Sequence, residues 1–455
     1  MDGVRELRLA GFGVLAVLLL SGAGPAPGAA PDSAPDAAPA VLVAAVLNGT
    51  ATLEEHLALA FAQNPGLRAA FERWQAAEAR APQARALDDP TLSFGVAFDR
   101  MDRRSEVGLV QMFPPPGARR LRRRKAAAEA RAAMHAFDAE RFEVFERVTR
   151  AFHEYRYLGR AIEVTAENHR LLVELEAAVR ARYEAEEAPF AELIQAQVER
   201  ERLGDRLAAL REERRPSSAA LAALLNLSAD VPLPWPTADA TAPEAMDEDA
   251  LAGILAELNP ELKSAASRVE AAGYGEALAR RGGWPRGMVG AEWMVMDGRD
   301  GRGTEMGVGV MAGATLPIWR GRVRAERREA AAQARAAERE REALHRKARE
   351  ELSGAVFRYR DAGRRLGLYR ETLLPLAGQA LDAARQAYAE GRVGFTAPID
   401  AQRTLLEYRL LAERAEADLA IALAEVRARV GEGDRTDRTD PSDPSDQLVE
   451  VEGLR

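Results

Sequence analysis

The chain has no cysteine among its 455 residues. This absence excludes disulfide bonds, thiolate metal ligands, a cysteine nucleophile and a lipidated N-terminal cysteine. Aromatic residues are few, at 6%, whereas charged residues reach 29%, a balance typical of long helices and coiled coils rather than of a compact enzyme core. The formal net charge of −8 is modest for this length, so nucleic acid is not the expected partner.

Long apolar runs are also scarce, and the main one lies at 9–20. It is too short to cross a bilayer as a helix and is followed by small residues, which predicts a signal peptide over 1–30. An uncleaved anchor is the alternative. We expect a flexible segment over 31–50 and a disordered acidic tail over 432–455.

The rest of the chain is duplicated. NPGLRAAFERW from Asn64 matches NPELKSAASRV from Asn259, and YEAEEAPFAELIQAQ from Tyr183 matches YAEGRVGFTAPIDAQ from Tyr388. Each repeat has the order helix, β-hairpin, very long helix, joint and second helix. The predicted division is a first repeat over 51–227, a Pro-rich linker over 228–247 and a second repeat over 248–431.

The long helices carry apolar residues at alternating spacings of three and four, from Phe145 in the first repeat and Leu352 in the second. Such a seam is typical of coiled coils. A helix over 117–183 would be on the order of 100 Å long, and the helices that flank it are roughly half that length. The joints are therefore expected to be hairpin tips, and Pro375 is expected to kink its helix.

Two segments, 91–113 and 287–317, alternate apolar with small or polar residues and predict β-hairpins. Their strands of about 10 residues have the length that a tilted strand needs to cross a bilayer. A small soluble sheet that caps the helices is the alternative. Four strands cannot close a barrel in a membrane, so several chains would have to pool them. The expected fold class is mainly α with a β-barrel contribution, built from duplicated helical coiled-coil hairpins and two β-hairpins per chain.

Several motifs resemble the TolC family of trimeric outer-membrane efflux channels: TLEEHLALAFAQNPGLRAA, ARALDDPTLSFGVAF, LPIWRGRVRA and RETLLPLAGQALDAARQAYAEGRVGFTAPIDAQRTLLEYR, together with the duplication. The resemblance implies a homotrimeric α/β barrel in the bacterial outer membrane with a helical tunnel through the periplasm. It also implies two partners, a periplasmic adaptor (membrane fusion) protein and an inner-membrane pump, with the channel acting as a passive conduit.

The segment QMFPPPGARR from Gln111 resembles members paired with heavy-metal resistance-nodulation-division (RND) pumps. It implies an RND-type pump and a cargo of heavy-metal cations or drugs. A periplasmic coiled-coil adaptor or scaffold is the alternative function, although an adaptor would carry β-rich segments around a single hairpin. An enzyme is not predicted, because no catalytic set, metal-ligand spacing or phosphate loop can be assembled. No cofactor is predicted either.

The tips are predicted to dock the adaptor, because an exposed Phe beside glycines at a chain reversal is poorly explained by packing; burial within the tip is the alternative. The residues assigned to docking are Pro189, Phe190, Val393, Gly394, Phe395 and Thr396. By resemblance, Asp400 would form a ring of three carboxylates at the tunnel constriction, with Glu192 as a second acidic ring. The alternative is that Asp400 pairs with an arginine such as Arg403.

Two basic clusters follow the Pro-rich turns, near helix N-termini where the helix dipole disfavours cations. We predict that they meet phosphates of outer-membrane lipid at the periplasmic leaflet, since the geometry of arginine suits phosphate. A solvated face of an Arg-rich helix is the alternative. The clusters are Arg119, Arg120, Arg122, Arg123, Arg124 and Lys125 in the first repeat, and Arg320, Arg322 and Arg324 in the second.

Overall fold

A computed structural model describes residues 37–98, 103–230, 232–237, 243–297 and 304–431. The expected signal peptide and acidic tail lie outside the described residues. The first half contains α1 (Ala37–Asn48), α2 (Leu53–Gln63), α3 (Pro65–Glu78), α4 (Arg80–Arg85), β1 (Thr91–Phe98), β2 (Arg103–Phe113), α5 (Ala118–Glu184) and α6 (Phe190–Leu224).

The second half contains α7 (Glu248–Leu258), α8 (Pro260–Arg281), β3 (Arg286–Asp297), β4 (Thr304–Thr315), α9 (Arg320–Gly367), a π-helical turn (Leu368–Leu373), α10 (Leu374–Ala389) and α11 (Thr396–Val430). This is the predicted class, mainly α with a small sheet. None of the described helices combines the length and apolar character needed to cross a membrane.

The duplicated Asn-Pro motif starts a helix in each half. The Asn64 side chain caps α3 by accepting from the Gly66 and Leu67 amides, and the Asn259 side chain caps α8 by accepting from the Leu262 amide. Each following proline occupies the first helical turn, where no backbone donor is needed. Both Asn side-chain amides also donate to a carbonyl near the end of the last helix of their own half, at Leu224 and Arg429.

The helices pack as two long antiparallel hairpins. The 67 residues of α5 correspond to a length of about 100 Å, and α3 and α6 both pack along it. In the second half α8 and α11 pack along α9, and α5 contacts both α8 and α11. The predicted seams lie in this core: Val148 and Phe152 on α5 and Leu352 and Ala355 on α9 are buried.

Matching tyrosines on the two seams hold the segment that links the halves. Tyr155 donates to the Leu233 carbonyl at 2.5 Å, and Trp235 packs on the Tyr155 ring with centroids 4.6 Å apart. Tyr359 accepts from the Glu244 amide at 2.7 Å. The Pro-rich segment is thus fixed to both long helices through its backbone.

The expectation of a flexible segment over 31–50 is wrong for its second part, since α1 occupies 37–48. Val46 is buried against Leu57 and Leu59 of α2 and Leu221 of α6. An apolar helix that can bury one side in an existing core is stabilised by that burial more than by its own propensity. The sequence alone could not show that core.

Pro375 lies directly after the π-helical turn at 368–373. Proline cannot donate to residue 371 and its ring crowds that carbonyl, so the regular hydrogen-bond ladder cannot continue through this point. A π-turn is one of the ways by which a helix absorbs such an interruption. The helix therefore continues into α10 with altered winding.

The four strands form one antiparallel sheet in the order β1-β2-β3-β4. The two predicted hairpins are joined because β2 pairs with β3, with Leu109 opposite Ala291. Strands β1 and β4 are the edges of this sheet, so one side of each lacks a strand partner within the described chain.

The two faces of the sheet differ in chemistry. Register places Leu92, Leu109, Ala291 and Val310 in one row of a single face, and Leu92 and Val310 are 71% and 81% exposed. The next row of that face holds Phe94, Val107, Trp293 and Val308, all of them exposed. The opposite face carries many small or polar residues: Ser93, Gly95, Glu106, Gly108, Gly290, Glu292, Gly307 and Gly309. It also carries apolar residues: Val110, Met112, Met288, Met294 and Met311.

Candidate functional site

The two joints share one backbone geometry. In the first tip the Glu186 amide donates to Tyr183 and the Glu187 amide to Arg182. In the second tip the Gly391 and Arg392 amides donate to Tyr388 and Ala387. This pair of bonds is the Schellman motif, whose central residue is left-handed; Glu186 has φ 62° and Gly391 has φ 72°. The Schellman turn ends each long helix, and the chain then reverses into the next helix.

The matched phenylalanines have opposite environments. Phe190 of the first tip is 57% exposed and lies against Tyr183, with ring centroids 5.5 Å apart. Phe395 of the second tip is 1% exposed and packs in a cluster with Leu193 of α6 and Ile399 of α11. The expectation that Phe395 is an exposed docking residue is therefore wrong, because its ring fills a space between the two hairpins.

The other predicted docking residues lie at the surface of the tips. Pro189 and Gly394 are exposed, as are Val393 and Thr396. Their side chains do not contribute to the core cluster that holds Phe395. Both tips therefore carry exposed residues, and the rings of Phe190 and Tyr183 are exposed together at the first tip.

Glu192 joins the first tip to the second. Its Oε2 accepts from the Tyr388 hydroxyl at 2.7 Å, and the Arg182 guanidinium lies over the Tyr388 ring, 4.8 Å from its centroid. Burial and the hydrogen bond to the Glu192 carboxylate raise the pKa of Tyr388 to about 12. Within the described chain, Glu192 is thus an anchor for the second hairpin.

Asp400 lies just beyond the second tip and is largely exposed. Its carboxylate accepts from Arg403 at 3.0 Å, which is the pairing given above as the alternative. Arg403 also holds Glu199 of α6 in a bidentate ion pair. The pKa of Glu199 is lowered mainly by this hydrogen bond. A single guanidinium thus holds two carboxylates from different halves of the chain.

A polar network next to this site was not predicted from the sequence. Gln402 is buried and donates to the Asn168 side chain at 2.6 Å, while Arg385 donates to the Gln402 oxygen at 3.1 Å. Asn168 in turn donates to the Val164 carbonyl. These bonds join α5, α10 and α11. The sequence signal was limited to polar residues at positions that proved to be buried.

A second network lies further from the tips, around Glu416 of α11. This carboxylate is buried and pairs with Arg156 of α5 at 2.9 Å and with Arg370 of the π-helical turn. Burial alone would raise the pKa of Glu416, but its two arginine partners lower it. The π-turn therefore carries one of the arginines that pair the second long helix with α11; Arg358 of α9, which pairs with Glu425, is another.

His153 lies one helical turn before Arg156 on α5. It is buried and packs edge-on against Phe152, and no described residue hydrogen-bonds to its Nδ1. The pKa of His153 is lowered to about 4, mainly by burial and also by the charge of Arg156, while the Glu416 carboxylate opposes the shift. The imidazole is therefore neutral at physiological pH.

The members of the first basic cluster differ in their partners: three have a carbonyl or carboxylate partner and three have no carboxylate within ion-pair distance among the residues that the structure describes. Arg119 donates to the Arg85 carbonyl at 3.1 and 2.6 Å, Arg122 lies 3.7 Å from the Asp88 carboxylate, and Lys125 pairs with Glu129 at 3.6 Å. Arg119 and Arg122 thus contact the segment that precedes β1, whereas Lys125 pairs within α5. The remaining members, Arg120, Arg123 and Arg124, have no carboxylate within ion-pair distance in the described chain.

The second basic cluster lies at the start of α9. Arg322 pairs with Glu326 at 3.5 Å, and Arg324 donates to the Arg320 carbonyl at 3.4 Å. All three members are exposed. The starts of α5 and α9 both follow directly from the sheet, so both clusters lie near its boundary. In the described ranges, no group of three or more His, Asp or Glu residues could hold a metal ion.

A family model described as outer membrane efflux protein matches residues 57–227 and 251–432. The two ranges coincide with the two halves of the fold. The chain belongs to the outer membrane efflux protein family. This confirms the resemblance to TolC-type channels, and the membership favours a conduit of tripartite efflux systems over the adaptor alternative. A comparison with curated proteins finds no match.

Solved structures of such channels have the same fold as this outer membrane efflux protein. The outer-membrane channel OprN superposes with a TM-score of 0.73 at 19% identity, over 84% of this chain and 90% of OprN. CusC superposes with a TM-score of 0.74 at 17% identity, over 84% of this chain and 92% of CusC. The outer membrane protein VceC from Vibrio cholerae superposes with a TM-score of 0.71 at 19% identity, over 84% of this chain and 96% of VceC.

Proposed function

We propose that three copies of this chain form a passive conduit in the bacterial outer membrane, through which a pump and an adaptor expel their cargo. The observation that carries the proposal is the four-stranded sheet with two open edges and an exposed apolar face. Open strand edges leave backbone donors and acceptors unpaired, which lipid does not tolerate. Pairing β1 of one copy with β4 of the next would satisfy both edges and close a barrel of twelve strands.

The chemistry of the faces supports this assembly. The row Phe94, Val107, Trp293 and Val308 would face lipid, whereas Glu292 and the glycines of the opposite face would line a water-filled lumen. A carboxylate on the lipid face would be costly. The sheet would therefore be oriented with the Phe94 row towards lipid and Glu292 towards the lumen. The helical hairpins, about 100 Å long, would continue the conduit through the periplasm.

The adaptor would dock on the helical tips, where Pro189, Phe190, Val393, Gly394 and Thr396 are accessible. An exposed aromatic ring beside residues with little side-chain bulk gives an apolar contact that a partner helix or loop can cover. The pump is proposed to be of the RND type, with heavy-metal cations or drugs as cargo. The Pro-rich segment that follows Gln111 is the support for this choice.

The constriction is proposed at Asp400. In a trimer this exposed carboxylate would recur three times around the axis, and Arg403 would partly offset its charge. The Arg403 pair with Glu199 and the Tyr388 bond to Glu192 both tie α10–α11 to the first hairpin. Opening would require the second hairpin to leave these partners, and pump assembly would favour that state.

The assembly is tested with engineered cysteines, since the native chain has none. Paired substitutions Leu92→Cys on β1 and Val310→Cys on β4, with neighbouring positions scanned for register, should give disulfide-linked dimers and trimers under oxidation. The control pair Leu109→Cys and Ala291→Cys lies on paired central strands and should link only within one chain. A purified protein that stays monomeric with intact β-structure would refute the trimer.

The gate is tested by conductance in planar bilayers. Asp400→Ala should raise single-channel conductance and weaken block by multivalent cations, because the carboxylate ring is removed. The matched control is Asp382→Ala, an exposed aspartate on α10. If conductance and cation block with Asp400→Ala equal those of the parent, Asp400 does not lie at the constriction.

A further inference from the structure

The arginines of the first basic cluster that lack carboxylate partners line one cleft. The cleft has a volume of about 540 Å³, which is in the range of a small-ligand site. Arg120, Arg123, Arg124 and Arg131 of α5 form one wall, and Glu270 and Tyr274 of α8 form the other. Four guanidinium groups therefore face a single carboxylate among the lining residues.

That carboxylate is already engaged. Glu270 pairs with Arg131 at 2.5 Å and accepts from the Tyr274 hydroxyl at 3.0 Å. The hydrogen bond from Arg131 is the main reason why the pKa of Glu270 is lowered. Arg124 lies over the Tyr274 ring, 5.9 Å from its centroid. The charge of Arg124 also helps to lower the pKa of Glu270, whereas Arg120 and Arg123 have no carboxylate within ion-pair distance among the described residues.

The position of the cleft makes this excess of charge informative. Arg120 is in the first turn of α5, where no acidic residue occurs and no side chain caps the helix. The helix dipole adds positive potential in this first turn, which disfavours the charge of Arg120 and favours an anion beside it. The first turn of α5 begins five residues after Phe113, the last residue of β2, so the cleft opens close to the boundary of the sheet.

We propose that this cleft binds a phosphate-bearing anion. Planar guanidinium groups form paired hydrogen bonds with phosphate oxygens. Because the lining has a single carboxylate, most of these guanidinium donors are available to an anion. Two kinds of molecule present such a phosphate group: the headgroup of an anionic lipid and a soluble phosphate. The lipid source rests on the proposed insertion of the sheet in a membrane, whereas the anion site itself does not.

Binding is measured by isothermal titration on the purified full-length protein in detergent. One arm uses mixed micelles that contain phosphatidylglycerol, with phosphatidylethanolamine as the zwitterionic comparison, and the other arm uses inorganic pyrophosphate. The test variant is Arg120→Gln with Arg123→Gln and Arg124→Gln. The control changes three exposed arginines of α9 outside the cleft to Gln: Arg341, Arg346 and Arg349.

The test variant should bind about tenfold or more weakly, since charge-assisted hydrogen bonds are lost, and the control should bind like the parent. Arg-to-Lys changes at the same three positions should give intermediate affinity, because charge remains and the planar fork is lost. If the triple variant fails to fold, Arg123→Gln alone is compared with Arg346→Gln. Preference for phosphatidylglycerol supports the lipid source, and binding of pyrophosphate alone supports a soluble one.

Absence of binding in both arms, or an equal loss in the test and control variants, would overturn the proposal. Conductance in planar bilayers separates this outcome from a failure of the proposed channel. A variant that conducts normally but has lost phosphate binding leaves the channel intact. A protein that binds phosphate through the cleft but forms no channel refutes the channel and leaves the cleft standing.

Discussion

The variants Phe395→Ala and Phe190→Ala compare residues at equivalent positions of the two joints. Phe395 is 1% exposed and Phe190 is 57% exposed. A fully buried Phe replaced by Ala costs roughly 3–5 kcal/mol, through lost burial and the cavity left behind. A ring that is mostly in solvent loses about 1 kcal/mol or less on the same change.

The difference should appear locally, at the tips. Phe395 packs on Leu193 of the first hairpin and Ile399 of its own, so its loss should release the second tip from the first. A difference of about 3 kcal/mol corresponds to roughly a 100-fold increase in the local opening constant. Hydrogen exchange of amides at 388–399 measures that opening, with amides at 144–158, in the buried seam of α5, as the internal reference.

The two variants should also separate stability from docking. Phe190→Ala should leave exchange nearly unchanged and yet weaken binding of the adaptor to the purified channel, because an exposed apolar contact is lost. Phe395→Ala should raise exchange, although it removes no exposed side chain from the tips. Equal exchange in both variants would contradict the assignment of Phe395 as the buried wedge between the hairpins.

Four further substitutions have expected outcomes. Glu186→Gly should stabilise the first tip by about 1 kcal/mol and Gly391→Ala should destabilise the second by a similar amount, since both positions are left-handed; thermal unfolding checks the opposite signs. The pKa of Tyr388 is raised to about 12, so the stability that the neutral hydroxyl gives to the tips is present below pH 10 and lost as pH rises through 12. Tyr388→Phe should abolish the corresponding rise in hydrogen exchange at the tips. The pKa of His153 is lowered to about 4, so the stability that depends on the neutral imidazole is present above pH 6.5 and lost as pH falls towards 4. His153→Gln should make thermal unfolding less dependent on acid pH, whereas His345→Gln, at an exposed histidine, should not.

The sequence by itself determined the elements that depend on local patterns. Period-two alternation gave the strands, the Asn-Pro motifs at 64 and 259 mark helix starts through a cap that lies within four residues, and the glycine at 391 marks a left-handed helix end. The duplication also follows from the sequence, because equivalent motifs recur about two hundred residues apart. Each of these features is governed by interactions between near neighbours in the chain.

Only the tertiary structure decided which of two equivalent residues is buried. Phe190 and Phe395 occupy the same place in the repeat, yet only Phe395 meets the opposite hairpin. The bond from Tyr388 to Glu192 joins residues 196 positions apart, and Glu186 adopts a left-handed backbone that its type does not favour. These features arise from packing between the halves, which local propensity does not encode.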